Sequence, residues 1–470
     1  MSVANTHLGA NRISELLHDK KSVFFVGIGG INMSSLAHLT HGRGLRVGGS
    51  DRTVSALTER LRGEGVEIFY SHDAANVDGY EVLVYTVAIT EDNPEYKAAI
   101  ARGIPCISRA DYMGYLMTEY KNRIGISGMH GKSTCTSMCA EVLMAAGSDP
   151  TVLSGAELSS MGGAYRVGAK TSFLFEACEY MDSFLDFNPT ISVILNVEED
   201  HVDYFESLEH IKRSFFSFAS IAAKAGGTCV ANLDDKNVTD TLVGYSGRLV
   251  GFGIENANAE YRAVNIEQRN GYYSFSIARN GFLVCDITLR VAGYHNIYNA
   301  LATAAATALL GIGWRDIKKG IEEFGGAARR MEYKGSLSGA RVYDDYAHHP
   351  TEIEASLRSA REMLGEGGRL FCVFQSHTYS RTAALMDGFS RALSIADRAI
   401  ICDVYAAREI DTMGVTPELI ADRISCDASA CHSFADAART LERELRAGDV
   451  AIVMGAGDVW HVFDTLRLNK

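Results

Sequence analysis

The stretch "RIGISGMHGKSTCTSM", residues 123–138, governs the reading of the whole chain. Arg123 to Ser127 close a short apolar run of strand type, while Thr134, Met138, Val142 and Ala145 recur at helical spacing. Between them stand Gly128, Met129, His130, Gly131, Lys132 and Ser133. A strand that enters a helix through two glycines leaves unpaired backbone N–H groups at the helix N-terminus, where an anion is stabilised. Lys132 would add a point charge for the outer phosphates, and the Ser133 hydroxyl a ligand for Mg²⁺. The full phosphate-loop pattern asks for a glycine where Ile126 stands. Two readings stay open at this motif: a phosphate loop, or a glycine turn capped by Ser133.

A length of 470 residues implies about three domains of ordinary size. Apolar content of 47% and charged content of 22% describe an ordinary globular chain. The formal net charge of −13 disfavours nucleic acid as the main partner, because such a balance cannot neutralise a phosphate backbone. Ten cysteines are scattered without a CxxC pair, the pattern of reduced thiols in a cytoplasmic protein. No segment has signal-peptide character and no apolar run reaches membrane-spanning length, so neither export nor a membrane partner is expected.

Outward from the loop, short Val/Ile/Phe runs alternate with helical patterns, which predicts an α/β fold of parallel sheets covered by helices. Two Asn-Gly dipeptides within "IEQRNGYYSFSIARNGFLVCDITL" predict an antiparallel hairpin patch in the central part. Boundaries fall near residue 116, before the loop strand, and near 326, after Phe324-Gly325-Gly326. The expected domains are therefore 1–115, 116–325 and 326–470. In the first, "VFFVGIGGINMSSLAH" sets Gly27, Gly29 and Gly30 between strand and helix, and Asp51 ends the next strand after Ser50. That is a Rossmann-type turn with Asn32 at the place of the third glycine. A nicotinamide-dependent oxidoreductase, a nucleotide-sugar site and a plain strand-to-helix turn all remain compatible with it. In the middle part, Glu176 ends one apolar strand, and Asp200, His201 and Asp203 follow another. Ligands gather at the carboxyl ends of parallel strands, so Glu176 and His201 are expected to converge on Lys132 and Ser133 as a carboxylate-led Mg²⁺ site.

Taken together, "GMHGKS", "EACE", "NVEEDHVDYF", "GYHNIYNALA", "ARRMEYKG", "YDDYAHHPTEI" and "QSHTYSRT" occur in the order and approximate spacing of the Mur ligases. With "GIGGINMSSLAH" and "GSD" in front, the chain resembles that family from about residue 20 to 460. The resemblance implies an N-terminal Rossmann-like domain for a UDP-substrate, a central P-loop ATPase-type domain and a C-terminal Rossmann-like domain for the amino acid. It implies ATP and Mg²⁺ as cofactors, UDP-N-acetylmuramate and L-alanine as substrates, and a monomer or weak homodimer. Family ligases that attach a recycled tripeptide to the same sugar nucleotide are the nearest alternative.

Residue by residue, the resemblance implies that Gly128, Met129, His130, Gly131, Lys132, Ser133 and Thr134 hold the ATP phosphates. Lys132 would be the γ-phosphate lysine, Ser133 and Glu176 ligands of a first Mg²⁺, and His201 of a second. His295 and Asn296 would line the adenine, Arg330 would reach the nucleotide, and Asp345 would bind the ribose. His348, His377 and Arg381 would receive alanine and the new acyl end; Gly29, Gly30, Ser50 and Asp51 would cradle the UDP. ATP ligands on both the middle and last domains predict closure around one nucleotide. Glu179 is read equally as a group that orients the substrate or as a solvated one, and His349 as a loop residue. The chain departs from the family pattern at Met129, Ser376 and Thr378, where threonine, proline and arginine are usual.

Overall fold

The computed structural model describes residues 3–201, 204–407 and 409–469. It divides into two compact units, Met1–Glu260 with Ala302–Ile317, and Tyr261–Leu301 with Lys318–Lys470. Three parallel-rich sheets carry the predicted α/β architecture.

The first unit holds two of them. Strands β1 (Ser22–Val26), β2 (Arg46–Ser50), β3 (Glu67–Phe69), β4 (Val82–Tyr85) and β5 (Cys106–Ser108) are all parallel, in the order β3-β2-β1-β4-β5. Every residue of β1 and β4 is buried, which explains why these runs are continuously apolar: helices cover both faces. The second, a ten-stranded sheet, contributes to this unit β6 (Asn122–Ser127), β7 (Thr151–Leu158), β8 (Gly163–Arg166), β9 (Ser172–Glu176), β10 (Ile191–Ile194), β11 (Thr228–Asn232) and β12 (Arg248–Gly253). Their order is β12-β11-β10-β6-β9-β7-β8, parallel except for β8. With β6 between β9 and β10, the carboxyl ends of three strands lie side by side, and the loop after β6 opens between them.

The two sheets of this unit are stitched by the helix Arg109–Met117 and by the N-terminal segment. The Asn188 amide donates to the Gly114 carbonyl (3.0 Å). Asn5 donates to the Met181 carbonyl (3.1 Å) and to the Ser183 hydroxyl (3.2 Å), while the Thr6 hydroxyl donates to Asp111 (2.6 Å).

In the second unit, β13 (Tyr261–Arg269), β14 (Tyr272–Arg279) and β15 (Phe282–Thr288) form the predicted antiparallel meander. Asn270-Gly271 and Asn280-Gly281 occupy its turns with all four φ angles positive, the backbone that type I′ turns require. The Tyr273 hydroxyl on β14 donates to Glu362 (2.8 Å), tying the meander to the helix Pro350–Arg361 and its C-cap. The remaining sheet, β16 (Glu332–Leu337), β17 (Ala340–Asp345), β18 (Leu370–Phe374), β19 (Arg398–Cys402), β20 (Asp427–Cys431) and β21 (Val450–Met454), has the order β16-β17-β21-β18-β19-β20. Only β16 runs antiparallel. Among the described residues, no helix is long and apolar enough to cross a membrane.

Candidate active site

The loop after β6 is built as an anion cradle without its first glycine. Gly128 (φ 140°) and Gly131 (φ 83°) adopt backbone that an L side chain rarely takes, and Gly131 caps the helix Lys132–Ala145. A Cβ on Gly128 would meet Leu195 Cβ at 3.0 Å and Asn196 N at 3.2 Å, so this glycine is needed for close approach to the β10 exit. Ile126 is itself buried in β6, where an apolar side chain serves the core. Asn196, the first polar residue after the apolar β10 run, clamps the loop. Its Oδ1 accepts from His130 N (2.9 Å), and its Nδ2 donates to the His130 carbonyl (3.0 Å). The His130 imidazole pairs with Glu198. Met129 and Ser133 are buried, and Thr134 is half-buried on the first helical turn.

Lys132 turns back over the loop, donating to the carbonyls of Gly128 (2.6 Å) and Met129 (3.1 Å). Its third partner is Glu179, whose Oε1 and Oε2 lie 3.2 and 3.1 Å from Nζ. The same Oε1 lies 3.1 Å from His201 Nε2. Lys132 and His201, 69 positions apart in sequence by their numbers, are thereby joined through one carboxylate oxygen. Burial opposes charge on Lys132, yet the neighbouring Glu179, Cys178 and Glu176 outweigh it and hold the ammonium above its ordinary pKa. Burial likewise favours protonation of Glu179, and Lys132 with His201 outweigh it, leaving a carboxylate below its ordinary value. The pair is charged. Glu179 is the residue sequence reasoning left undecided; its position three residues after Glu176, beyond a strand end, was the available signal.

Glu176 ends β9 beside β6, in register with Ile126. Its Oε1 accepts from Gly155 N and from the Ser154 hydroxyl (3.3 Å). His201 holds a left-handed backbone (φ 52°), its N–H donating to Asp200 Oδ1 (2.6 Å) and its ring lying 4.9 Å from that of Tyr180. Asp203 lies outside the described residues. The residues implied to hold Mg²⁺ offer a hydroxyl (Ser133), a carboxylate (Glu176) and an imidazole (His201). Two of these three donors are hard oxygen, and the buried Glu179 carboxylate, 3.1 Å from the Lys132 ammonium and 3.1 Å from His201 Nε2, adds negative charge beside the imidazole. Both features suit Mg²⁺.

The glycine turn of the first sheet carries an anion of its own. Gly27 N and Ile28 N donate to the Ser50 carbonyl (2.8 and 2.9 Å), and Gly29 N donates to Asp51 Oδ2 (2.9 Å). Asp51 Oδ1 accepts from Arg52 N (2.8 Å) and Thr53 N (3.2 Å). Ser50 is fully buried, its hydroxyl donating to Glu95 (2.7 Å), which also contacts His72 Nδ1 (2.8 Å) and Asn76 (2.8 Å). Gly30 N donates back to the Gly27 carbonyl (3.2 Å).

In the second unit, Asp345 sits at the carboxyl end of β17, accepting from Ala347 N (2.7 Å) and Met331 N (2.8 Å). Burial pushes its pKa up to about 6. The Arg330 guanidinium lies 5.1 Å from the centre of the Tyr346 ring. His348 and His377 rings stand 6.2 Å apart, and His377 stacks on Tyr405 at 5.4 Å. Burial lowers the His377 pKa, with Arg381 adding to the effect from the helix Tyr379–Ala384. His349 caps the helix Pro350–Arg361, its Nδ1 accepting from Thr351 N (3.4 Å), in keeping with a loop role. His295 opens the helix His295–Ala308, and burial pushes its pKa down to about 4. Asn296 donates to the Ala292 carbonyl (2.7 Å) and accepts from Asn299 Nδ2 (2.9 Å).

Three family models match successive parts of the chain: the Mur ligase family catalytic domain over residues 22–121, the Mur ligase middle domain over 126–307, and the Mur ligase glutamate ligase domain over 329–457. A UDP-N-acetylmuramate–L-alanine ligase of Acetivibrio thermocellus is 41% identical over 96% of both chains. One from Caldicellulosiruptor saccharolyticus is 42% identical over 93% of this chain and 96% of its own. Among solved structures, the UDP-N-acetylmuramate–alanine ligase of Thermotoga maritima superposes with TM-score 0.78 at 27% identity, covering 94% of this chain and 97% of the other.

Proposed function

The chain belongs to the Mur ligase family, and from that premise we propose that it joins L-alanine to the lactyl carboxylate of UDP-N-acetylmuramate at the expense of ATP, in the synthesis of peptidoglycan precursors. The observation that carries the reading is the ammonium of Lys132 at the mouth of a glycine loop, linked through Glu179 to His201, in a chain so similar to alanine-adding ligases. A carboxylate is a poor electrophile at neutral pH, so amide formation needs a better leaving group. Its oxygen attacks the γ-phosphorus of ATP, ADP departs, and an acyl phosphate forms. The amine of alanine then attacks the acyl carbon and inorganic phosphate leaves. The first transfer brings two anions together, and cationic groups held in advance lower that barrier.

Lys132 and the N–H groups from Gly128 to Thr134 bind the phosphates in this reading. Ser133 and Glu176, with His201 at a second position, would hold Mg²⁺, which supplies charge neutralisation at the phosphate oxygens when bound. His295, Asn296, Arg330 and Asp345 bind the nucleoside end. His348, His377 and Arg381 receive alanine, and Gly29, Gly30, Ser50 and Asp51 shape the UDP site. The Ser50 hydroxyl donates to the buried Glu95, and in this reading it supports the turn from within. Three functional domains, 1–115, 116–325 and 326–470, divide these tasks. The cytoplasm is the proposed location, and a monomer or weak homodimer the proposed state.

The test is ADP release. It should require UDP-N-acetylmuramate and L-alanine together, and ADP formed with either substrate alone, or faster with a tripeptide than with alanine, would overturn the assignment. Thr378 removes one bidentate carboxylate donor from the amino-acid site, and one methyl separates alanine from glycine by only about 1 kcal/mol. Glycine should therefore be a measurable substrate.

A further inference from the structure

We propose that Glu179 is a positioning residue, which fixes the phosphate lysine and the histidine at 201 relative to each other and releases the lysine to the nucleotide. The inference rests on the ligase reading above. Among the described residues, the Lys132 ammonium makes three contacts, all internal: two loop carbonyls at 2.6 and 3.1 Å and the Glu179 carboxylate at 3.1–3.2 Å. The carbonyl bonds hold the side chain folded over the loop. The carboxylate bond is the one an incoming phosphate can exchange, anion for anion, without moving the backbone.

Glu179 is itself held from several directions. Two and three residues on, Met181 and Asp182 both take left-handed backbone (φ 54° and 53°), which for non-glycine residues persists only where the surroundings impose it. Asp182 N donates to the Glu179 carbonyl (2.9 Å), the Asp182 carboxylate accepts from the Tyr204 hydroxyl (2.7 Å) and from Ser214, and Asn5 holds the Met181 carbonyl. A carboxylate so fixed transmits its position to the two groups that share its Oε1. A solvated glutamate would have neither zero exposure nor this scaffold.

The experiment compares Glu179→Gln, which keeps the shape and loses the charge, with Glu179→Asp, which keeps the charge and loses the reach. Steady-state turnover, equilibrium ATP binding and binding of UDP-N-acetylmuramate are measured on the full chain. Positioning predicts that kcat falls about 10–100-fold in both variants, as for groups that orient direct ligands. Binding of the UDP substrate should stay at the wild-type level, and ATP should bind more weakly to Glu179→Asp. Wild-type kcat in either variant overturns the inference, as does a loss of UDP-substrate binding that matches the loss of kcat, because that marks a collapsed loop. If wild type releases no ADP in response to alanine, the ligase reading is at fault. ATP binding then decides this inference: weaker binding by Glu179→Asp supports it and unchanged binding overturns it.

Discussion

Replacing Lys132 by Met should damage the fold as well as the chemistry, and the structure sets the scale. The Glu179 side chain is 1% exposed, with the ammonium 3.1 Å from Oε2. Removing one partner from a buried ion pair costs roughly 3–5 kcal/mol, because the other charge stays buried without compensation. His201 remains as a partner of Oε1 at 3.1 Å, and the lysine side chain is 16% exposed, so the low end, about 3 kcal/mol, is expected. Adding Glu179→Gln to Lys132→Met removes the stranded charge and should restore most of that loss without restoring turnover. The assay is a double-mutant cycle in urea, with hydrogen exchange of residues 123–145 reporting the loop itself. A coupling energy of about 2 kcal/mol or more is the expected outcome. Strict additivity, or a Lys132→Met protein as stable as wild type, would refute the pairing and with it the charged state of Glu179.

Other outcomes follow from single contacts. Asn196→Ala leaves the His130 N–H and carbonyl without their clamp and should cost about 1–3 kcal/mol, seen as faster hydrogen exchange in the loop and weaker ATP binding. Gly128→Ala puts a Cβ 3.0 Å from Leu195 in a backbone region hostile to side chains; ATP-dependent turnover should be lost while UDP-substrate binding, measured by calorimetry, persists. Asp345 has its pKa raised from 3.8 to about 6, so the folded state holds a proton that the unfolded chain releases between those values. Wild-type stability should therefore fall, relative to Asp345→Asn, as pH rises from 4 through about 6, by up to about 3 kcal/mol in parallel urea titrations. His295 shifts the other way, its pKa lowered from 6.5 to about 4; the unfolded chain takes up the proton first, and a His295→Gln protein should lose less stability than wild type between pH 6.5 and 4.

Much of this architecture could be read before any coordinates. Apolar runs without alternation marked β1, β4, β10 and β21 as strands covered on both faces, and two Asn-Gly pairs located the meander turns to the residue. Glycine spacing located both strand-to-helix turns even though Ile126 and Asn32 break the longer patterns, because the backbone demand falls on Gly128, Gly131 and Gly27. Partners were harder to read. Periodicity says which face a residue takes but not which distant side chain meets it there, so the sharing of Glu179 by Lys132 and His201 and the clamp by Asn196 needed the sheet order β10-β6-β9. Ser50 shows the same limit: nothing in its motif points to Glu95, the buried acceptor of its hydroxyl.

The aspartate seated in the first glycine turn has a consequence for anything that occupies that turn. Gly29 already satisfies its N–H with Asp51. An incoming phosphate there would have to evict a carboxylate that is covalently part of the protein and always present at high local concentration. A hydroxyl or ring N–H, by contrast, could approach the same carboxylate as a donor and leave the turn undisturbed. Inhibitor chemistry aimed at this end should carry donors toward Asp51 and keep its negative charge elsewhere, and compounds ranked by added anionic groups should show no gain at this position.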